Sequence, residues 1–568
     1  MRDRKGLISA FSLIVLMVLN LCYMHYEVYV CDNGVTNPAG RWAPLYFILF
    51  DILIPLFFFE AITLGRRKIS YSLTYALILF FTIANIIYSR FLGQYIPIDG
   101  FLEYENMQGS WWLGYVFEAF RWTDIFIIAN IIISIFVIRR LPNEKSWKAP
   151  VRVLCLILAI AAFYAFRVSV HYEDVTQNNG DNTPKAEWIL RQFIGNADEP
   201  VYAPNAHIFA HGIVVGQLFS GIINRNATIT LSEKEKSEIF SLINIRNKGT
   251  DALSDSCKIQ GKPNVVMIIM ESGLSRAIEE RINGKYVMPH LRVLAYDPHN
   301  YYNPQIISNR GAGESSDAQV SYFTGLIPLK NEFTIMRVLK DSIIALPRLL
   351  AQKGYTTCIT IPNDENFWHQ KELNHKYGFT HSFALGTKDN GNWCQDDEIF
   401  RYVIEEQKNL HAPFFHVILT LSMHSPYVEG SGSRYQNYLN KCHFADTQIG
   451  QYISHLKKSG TYDNTVIMIV SDHEPPSDCL DVSEKSSEYS LLPLIIVNSG
   501  IVPSRFSKKP CNQIDLFPTM LDMFGIQSEW RGVGRSLLRD NDTYQLTEKE
   551  ERISANILRS NLWQTSER

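Results

Sequence analysis

Metal-binding side chains follow short apolar runs in the second half of the chain. Glu271 comes directly after the run NVVMIIM, and Asp472 and His473 follow the run NTVIMIV and one serine. His424 is the third residue after the run PFFHVILTL. Two carboxylates and two imidazoles form a mixed oxygen and nitrogen set that suits a divalent cation such as Mn, Mg or Zn. Taken singly, these residues have simpler interpretations, such as a helix N-cap for Asp472 or a hydrogen-bonded core side chain for His473.

A glycine-rich segment supplies a candidate nucleophile. Residues 311–320 read GAGESSDAQV and follow the extended stretch YYNPQIIS. The glycines allow a close approach of the backbone, which would bring a serine hydroxyl to a bound cation. A serine is a poor nucleophile until a base or a metal ion activates it, so Ser315 or Ser316 is the candidate attacking oxygen. The alternative is an ordinary glycine–serine turn that caps a following helix.

Five β-rich runs separated by helix-like segments must bring these side chains together. The runs cover residues 264–270, 356–361, 413–421, 464–470 and 491–497. Near-continuous apolar strands that alternate with helices predict an α/β domain with a mostly parallel sheet and helices on both faces. Ligands bind at the carboxyl ends of such strands. The residues after each run, including Asn363 after TTCITI, are therefore predicted to line one edge of the sheet.

The first third of the chain has the composition of a membrane domain. Apolar runs at 7–23, 43–64, 71–91, 122–138 and 151–168 approach the roughly 20 residues that a bilayer crossing needs, so five spans are predicted. The basic segments MRDRK, GRRK and RRLPNEKSWK occupy alternate loops, which places those loops in the cytoplasm and everything after about residue 170 outside. Asp51 and Glu60 lie within or near the second span, where a carboxylate suggests either function or a place in the bundle interior or at the membrane surface.

Composition and patterning predict four regions and exclude one class of partner. They are a transmembrane domain with five spans over 1–170, a linker with possible interfacial helices over 171–258, a catalytic domain over 259–545, and a polar tail over 546–568. Lys and Arg number 54 against 57 Asp and Glu, giving a net charge of −3. This balance offers no polycation for nucleic acid, so no nucleic-acid partner is expected.

Several motifs occur in an order that resembles a known family. They are VVMIIMES, GAGESSDAQ, NFWHQ, LSMHSPY, YDNTVIMIVSDHE, and QIDLFPTMLDMFGI with GVGRSLL. The chain over about 260–540 is similar to the lipoteichoic acid synthase-like branch of the sulfatase and alkaline phosphatase superfamily, and so is the five-span arrangement before it. The resemblance implies a sulfatase-like α/β fold and a transferase with one divalent ion, Mn in the first place. It further implies a phospholipid donor, a glycan or lipid acceptor, and a bacterial inner membrane location with the catalytic domain on the outer side.

The resemblance assigns roles to individual residues. Glu271, Asp472 and His473 fall on the metal ligands of the family, and Ser315 falls on the nucleophile that is also the fourth ligand. His424 falls on the histidine that faces the substrate phosphate. Trp368 falls on the aromatic residue of the substrate pocket, and Asn363 is placed with it as a substrate-binding residue.

The chain departs from the family pattern at three positions. The nucleophile is usually Thr and is Ser here, which is a mild chemical change. Ile361 and Gln370 stand where the family has a histidine and an arginine that hold glycerol phosphate. Because glutamine cannot replace a bidentate guanidinium, the donor headgroup is left open between phosphoglycerol and phosphoethanolamine types.

Two other functional classes use the same features. An extracytoplasmic phosphodiesterase or sulfatase-like hydrolase would need the same residues and differ only in the final acceptor. The C/S-x-P-x-R signature that sulfatases require for formylglycine is missing around Ser315, which disfavours a sulfatase. A catalytically silent binding protein would not need an intact set of metal ligands and nucleophile.

Overall fold

The computed structural model describes most of the chain. The described residues are 2–31, 43–92, 95–96, 119–143, 149–178, 208, 212–219, 228–247, 253–330, 332–340, 343–386, 393–425, 427, 432–476, 479, 490–539, 546–560 and 562. They form two compact units, one within residues 1–227 and one within residues 228–568. We call these the helical unit and the sheet unit.

The helical unit is built from apolar helices. They are α1 (Arg2–Cys31), α2 (Ile48–Ile62), α3 (Arg67–Leu92), α4 (Ile125–Arg140), α5 (Ala149–Asn178) and the short α6 (Ile213–Phe219). Four segments are long and apolar enough to cross a membrane, namely Gly6–Tyr29, Leu45–Ile62, Arg67–Arg90 and Trp122–Arg140. The fifth predicted span lies in α5, whose apolar part, Pro150–Phe166, is shorter. The described residues therefore hold four full-length candidate spans and a shorter fifth.

Apolar side chains lie on both the inside and the outside of this bundle. Leu13 and Met17 of α1 pack with Ile52 of α2 and Ile78 of α3 in a buried cluster. Phe11 is 68% exposed although it is apolar. A helix that is apolar on all sides fits a lipid environment, because the exposed side chains then contact acyl chains instead of water.

A buried ion cluster joins three helices of this unit. Arg90 near the end of α3 donates to Glu27 Oε2 of α1 through Nε at 3.0 Å and Nη2 at 2.7 Å. Its Nη1 and Nη2 also donate to Asp124, just before α4, at 2.7 and 2.8 Å. A fifth bond runs from Nη1 to the carbonyl of Ala119 at 2.7 Å. All five guanidinium N–H groups are thus used, and the ends of α1, α3 and α4 are held together.

Asp51 also has a structural partner inside the helical unit. Its carboxylate is fully buried and accepts the backbone N–H groups of Ile213, Val214 and Val215 at 3.0, 2.9 and 3.3 Å. These donors are the first residues of α6, so Asp51 satisfies backbone groups that the helix itself leaves unpaired. This arrangement fits the bundle-interior interpretation of Asp51.

The sheet unit contains an eight-stranded sheet. Its strands are β1 (Asn264–Met270), β4 (Tyr301–Ile307), β5 (Thr356–Ile361), β6 (His381–Ala384), β7 (Phe414–Leu419), β8 (Thr465–Ser471), β9 (Leu492–Val497) and β10 (Cys511–Asn512), and β2 (Arg281–Ile282) and β3 (Lys285–Tyr286) form a separate hairpin. The order is β10-β4-β9-β8-β1-β7-β5-β6. Only β9 is antiparallel to its neighbours β8 and β4. The prediction of a mostly parallel sheet is confirmed, and all five predicted strands are present.

Helices cover both faces of the sheet. They are α7 (Glu233–Asn247), α8 (Ser275–Glu279), α9 (Pro289–Ala295), α10 (Ser315–Thr324), α11 (Ile335–Val338), α12 (Leu346–Gln352), α13 (Gln370–Tyr377), α14 (Asp396–Gln407), α15 (Arg434–Ser459), α16 (Leu516–Met523) and α17 (Glu548–Arg559). Ile268 on one face of β1 packs in a core with residues of α9, α14 and α15. Met267 and Ile269 point to the opposite face and are equally buried. Both faces of the central strand are therefore excluded from water.

A helix lies within the region that was predicted to be a polar tail. The region 546–568 was expected to be a polar tail, but α17 begins at a capping box between Thr547 and Glu550. The helix buries Ile557 and Leu558. It contacts α7 through an ion pair of Glu550 with Arg246 at 2.8 Å. Its amphipathic pattern, with alternating charges on the outer face, explains why average polarity hid it.

Candidate functional site

The carboxyl ends of β1 and β8 bring two acidic side chains together. The two strands are parallel, and Met270 is paired with Ser471, so Glu271 and Asp472 emerge side by side. Asp472 N donates to the carbonyl of Met270 at 3.0 Å, which fixes this register. The potential ligand atoms of Glu271, Asp472 and His473 all lie within 4.8 Å of one another, and the three residues are buried.

His473 presents a defined nitrogen to these carboxylates. Its Nδ1 lies 2.8 Å from the carbonyl oxygen of Glu474, which only accepts, so Nδ1 carries the hydrogen. Nε2 lies 3.6 Å from Glu271 Oε1 and from Asp472 Oδ2, and 3.7 Å from Glu314 Oε2. Nε2 is thus the ring atom available to a cation, in an orientation set by the hydrogen bond at Nδ1.

The electrostatics of the cluster call for positive charge. Burial alone would lower the pKa of His473, but the carboxylates of Asp472, Glu314 and Glu271 outweigh it and raise the pKa to about 9. Burial, reinforced by the charge of Asp472, raises the pKa of Glu271 well above its ordinary value. Two carboxylates and an imidazole nitrogen form a donor set that fits Mn, Mg or Zn, and a divalent ion would replace the proton on Nε2.

Ser315 is the serine that faces this cluster. Its hydroxyl lies 3.1 Å from His473 Nε2 and donates to Glu271 Oε2 at 3.2 Å. Ser316 is turned away, because its buried hydroxyl donates to the carbonyl of Gly313 at 2.6 Å. The geometry therefore places Ser315, and not Ser316, with the three potential metal ligands.

The glycine-rich turn before Ser315 is tightly packed. Asp317 Oδ2 accepts the backbone N–H groups of Gly311 and Gly313 at 3.0 and 2.7 Å. A Cβ atom on Gly311 would lie 2.3 Å from the carbonyl oxygen of Leu329. Glu314 adopts φ +51°, a strained conformation for a residue with a side chain. The turn thus depends on glycine and holds Ser315 at the start of α10.

His424 is a neutral acceptor near the cluster. Its Nδ1 lies 2.5 Å from the carbonyl oxygen of Ser425, so Nδ1 carries the hydrogen and Nε2 the lone pair. Burial lowers the pKa of His424 to about 4, which keeps the imidazole uncharged at neutral pH. The charges of His473 and Asp472 also act on this pKa. In this tautomer Nε2 is the ring nitrogen that can accept a proton.

Aromatic rings extend from His424 in a continuous row. Trp393 lies edge-on to His424 with ring centroids 5.5 Å apart, and Phe367 lies 5.6 Å from Trp393. Trp368 follows at 6.2 Å from Phe367, and Phe333 lies 4.7 Å from Trp368. We call these five residues the aromatic row. The sequence reading included Trp368 but missed Trp393.

Asn363 explains how Trp393 reaches this place. The backbone of Asn363 forms an isolated antiparallel bridge with Trp393, and its carbonyl accepts the N–H of Gly386 at 3.2 Å. The described hydrogen bonds of Asn363 are thus backbone ones. The local sequence does not predict such a bridge, because the two residues belong to different loops.

The position at which the family has arginine holds a buried amide. Gln370 is 6% exposed and exchanges two hydrogen bonds with Gln319, at 2.9 and 3.2 Å. Its Nε2 also donates to Asn374 Oδ1 at 2.8 Å. Ile361 is 1% exposed in the core. Neither Ile361 nor Gln370 thus supplies the cationic contact to a phosphate that the family pattern has at these positions.

A charged trio lies next to Ser315, and its two glutamates were not among the predicted site residues. Arg310 forms ion pairs with Glu314 and with Glu474, each at 3.3 Å. The two glutamates directly precede Ser315 and directly follow His473. Their adjacency in sequence to the candidate nucleophile and ligand was the available signal.

Comparisons with known proteins find relatives of this chain. The sulfatase family model matches residues 263–526. Lipoteichoic acid synthase 2 of Bacillus subtilis (strain 168) is 24% identical over 562 residues, covering 92% of this chain and 82% of the relative. Lipoteichoic acid synthase of Staphylococcus aureus (strain USA300) is 22% identical over 564 residues, covering 93% and 84%.

A solved structure that matches part of this chain is the lipoteichoic acid synthase LtaP from Listeria monocytogenes. It has 21% sequence identity and a TM-score of 0.45, and the match covers 53% of this chain and 81% of that one. The family match covers all three potential metal ligands and Ser315. Residues 263–526 therefore form a sulfatase-family domain, in a chain that is homologous over most of its length to the lipoteichoic acid synthases.

Proposed function

We propose that this chain is a metal-dependent membrane phosphotransferase. It moves a phospholipid headgroup, of phosphoglycerol or phosphoethanolamine type, to a glycan or lipid acceptor outside the cytoplasm. The observation that carries the proposal is the Ser315 hydroxyl, 3.1 Å from His473 Nε2 in a buried cluster with Glu271 and Asp472. Similarity to lipoteichoic acid synthases over more than 90% of the chain supports it.

The residues of the cluster would hold one divalent ion. Glu271, Asp472 and His473 would bind it, with Ser315 as a fourth ligand, and we propose Mn, with Mg or Zn as alternatives. When bound, the ion would lower the pKa of the serine hydroxyl and neutralise charge on the phosphate oxygens. The buried excess of carboxylate around His473 Nε2 supports this assignment.

In the first step, Ser315 Oγ attacks the phosphorus of the lipid phosphodiester. A P–O bond to Ser315 forms, and the P–O bond to the diacylglycerol oxygen breaks. The proton of the serine hydroxyl ends on that leaving oxygen, so atoms and charge balance. His424 would relay this proton, since Nε2 accepts in the neutral tautomer and substrate phosphate would raise its pKa.

In the second step, a hydroxyl of the acceptor attacks the phosphoserine. The acceptor P–O bond forms, the bond to Ser315 breaks, and the acceptor proton returns to the serine oxygen. A neutral His424 suits removal of the acceptor proton, which is a base function. Water in place of the acceptor would make the protein a phosphodiesterase.

A reconstitution experiment tests the function. Purified full-length protein is incubated in detergent micelles that carry a single donor phospholipid, and released diacylglycerol is measured with Ser315→Ala as the blank. We expect release by the wild type alone, with a headgroup-phosphate adduct on Ser315 detected by mass spectrometry. Release that is equal in wild type and variant would refute the proposal. Added glycan or glycolipid acceptors distinguish transfer from hydrolysis.

The proposed site requires the sheet unit, within 259–545, to lie outside the cytoplasm. The alternate basic loops of the helical unit support a bacterial inner membrane location with this orientation. Reporter fusions after residues 66 and 259 test it. The fusion at 66 should report a cytoplasmic location and that at 259 an external one, and the same location for both would contradict the topology.

A further inference from the structure

The ion-paired group around Ser315 has more carboxylates than cations, which suits a headgroup that carries a positive charge in addition to its phosphate. Among the described residues, Arg310, Glu314 and Glu474 form an ion-paired group beside Ser315, and their formal charges sum to −1. A second cation, Lys441, lies at His424, where it donates to the backbone carbonyl at 2.8 Å. The guanidinium of Arg310 is held between the two carboxylates at 3.3 Å each. A substrate phosphate would have to compete with both glutamates for this cation.

The other position from which a cation could be expected is neutral. Gln370 is committed to Gln319 and Asn374 by three hydrogen bonds inside the protein. Gln319 lies one helical turn after Ser315 on α10, so this amide pair forms part of the wall beside the nucleophile. A buried amide pair supplies hydrogen bonds but no charge.

Glu314 is placed where a headgroup attached to Ser315 would reach it. Its Oε2 lies 3.7 Å from His473 Nε2, and the Ser315 hydroxyl lies 3.1 Å from the same nitrogen. Glu314 Oε1 accepts no hydrogen bond, although it is shielded from solvent. The side chain as a whole is 18% exposed, so a ligand in the site can contact it. An unsatisfied carboxylate oxygen in such a place is costly unless a donor arrives.

The backbone also directs this side chain. Glu314 adopts φ +51° and ψ −124°, a region that residues with side chains rarely occupy. Ordinary N-cap residues satisfy the first N–H groups of their helix, but Glu314 makes no such side-chain bond to α10. The strained conformation therefore points the carboxylate to the cluster and not to the helix.

We infer that the transferred headgroup carries a positively charged amine, and that Glu314 is the residue that recognises it. This inference rests on the proposed function and names its donor class, an aminoalkyl phospholipid such as phosphatidylethanolamine. The amine lies two carbons beyond the phosphate oxygen, which matches a carboxylate adjacent to the nucleophile.

The test measures donor preference in the full-length protein. Micelles carry phosphatidylethanolamine, phosphatidylglycerol or N-acetylated phosphatidylethanolamine, and diacylglycerol release is followed with Ser315→Ala as the blank. Acetylation removes the positive charge and keeps the rest of the headgroup. We expect phosphatidylethanolamine to be used at least about tenfold faster than either of the other donors, because a charge-assisted hydrogen bond is lost with them.

Two glutamine variants separate Glu314 from its neighbour. Glu314→Gln should lower the ratio of phosphatidylethanolamine to phosphatidylglycerol turnover by roughly tenfold to a hundredfold, with bound metal unchanged. Glu474→Gln also removes a carboxylate from Arg310, but the described ion pairs of His473 Nε2 involve Glu314 and not Glu474. This variant should leave that ratio within about twofold. Metal content is measured on both variants.

Each other result has a definite meaning. A preference for phosphatidylglycerol in the wild type would overturn the inference while leaving the phosphotransferase intact. Loss of metal in Glu314→Gln would show that Glu314 is a metal ligand. An equal change of the turnover ratio in both glutamine variants would assign the donor preference to Arg310. Either result would overturn the inference that Glu314 recognises the amine. No release from any donor, with wild type equal to Ser315→Ala, would overturn the proposed function and the inference together.

Discussion

At the scale of single residues, adjacent side chains of the same type have different environments. Ser315 faces His473 and Glu271, whereas Ser316 is hydrogen-bonded to the backbone of Gly313. Ser315→Ala should abolish headgroup transfer, because the attacking oxygen is removed. Ser316→Ala should lower the rate less than about tenfold, because it loses one hydrogen bond of the turn. Diacylglycerol release measures both, and the opposite ranking would assign the nucleophile to Ser316.

Metal content gives a second prediction at this scale. Asp472→Ala removes one of three clustered ligands, and we expect purified protein to lose its divalent ion, from about one per chain to nearly none. Asp463→Ala is a matched control, since this aspartate lies in the turn before β8. Elemental analysis by mass spectrometry checks the result. Equal metal in wild type and Asp472→Ala would remove the site assignment.

The third prediction concerns a histidine away from the cluster. His416 in β7 is fully buried, with Nε2 2.8 Å from Thr360 Oγ1 and Nδ1 3.3 Å from Gln407 Nε2. Burial lowers its pKa to about 3. Above pH 6.5 His416 is neutral in both the folded and the unfolded chain, so its titration does not change the free energy of unfolding. As pH falls from 6.5 to about 3, only the unfolded chain gains the proton, so stability falls by about 1.4 kcal/mol per pH unit.

His416→Gln should therefore weaken the pH dependence of thermal stability below pH 6.5. Unfolding of the full chain in detergent is followed by tryptophan fluorescence at several pH values. His424 keeps its own contribution, because burial lowers its pKa to about 4 as well. A variant with the same dependence as wild type would show that His416 does not limit acid stability.

At the scale of elements, the parallel sheet explains why part of the site was predictable. Glu271, Asp472 and His473 follow buried strands, and parallel strands end at one edge, so their meeting follows from the strand pattern alone. The strand pattern does not decide whether Ser315 or Ser316 is the nucleophile, because that choice depends on the turn before α10. Trp393 was not predicted as a site residue either, because it is held near His424 by a single backbone bridge to Asn363. The helix α17 was not predicted, because an amphipathic helix is indicated by the spacing of its apolar residues and not by its mean polarity.

The turn before α10 gives a prediction at the same scale. Gly311→Ala would place a Cβ atom 2.3 Å from the carbonyl oxygen of Leu329, so the turn must shift. We expect transfer to fall by about a hundredfold or more, because nucleophile placement is sensitive to shifts near 1 Å. Gly284→Ala meets no atom within 4 Å and serves as the control, with transfer kept and a stability cost of about 1 kcal/mol. Equal activity in both variants would contradict a role for the turn.

At the scale of the whole molecule, the helical unit depends on buried charge. Arg90→Met would leave Glu27 and Asp124 buried without their cation, which should cost about 3–5 kcal/mol of stability. Arg121→Met removes a half-exposed contact to Glu27 at 3.2 Å and should cost less than about 1 kcal/mol. Melting temperatures of the full chain in detergent compare the two variants. A similar fall in melting temperature for both variants would mean that the buried ion pairs of Arg90 stabilise the fold no more than the partly exposed one of Arg121.

The pairing of α7 with α17 has a consequence for how the chain is made. Ile229 pairs with Ser560 in a parallel bridge, and Arg552 contacts Glu238 at 2.9 Å, so the first and last elements of the sheet unit touch. A ribosome releases α7 more than 300 residues before α17. The apolar residues Ile553 and Ile557 of α17, which are buried in the folded unit, are therefore synthesised long after α7. In the proposed topology, closure of the sheet unit must await export of the final helix, so a nascent chain halted before it would remain open to proteases at the cell surface.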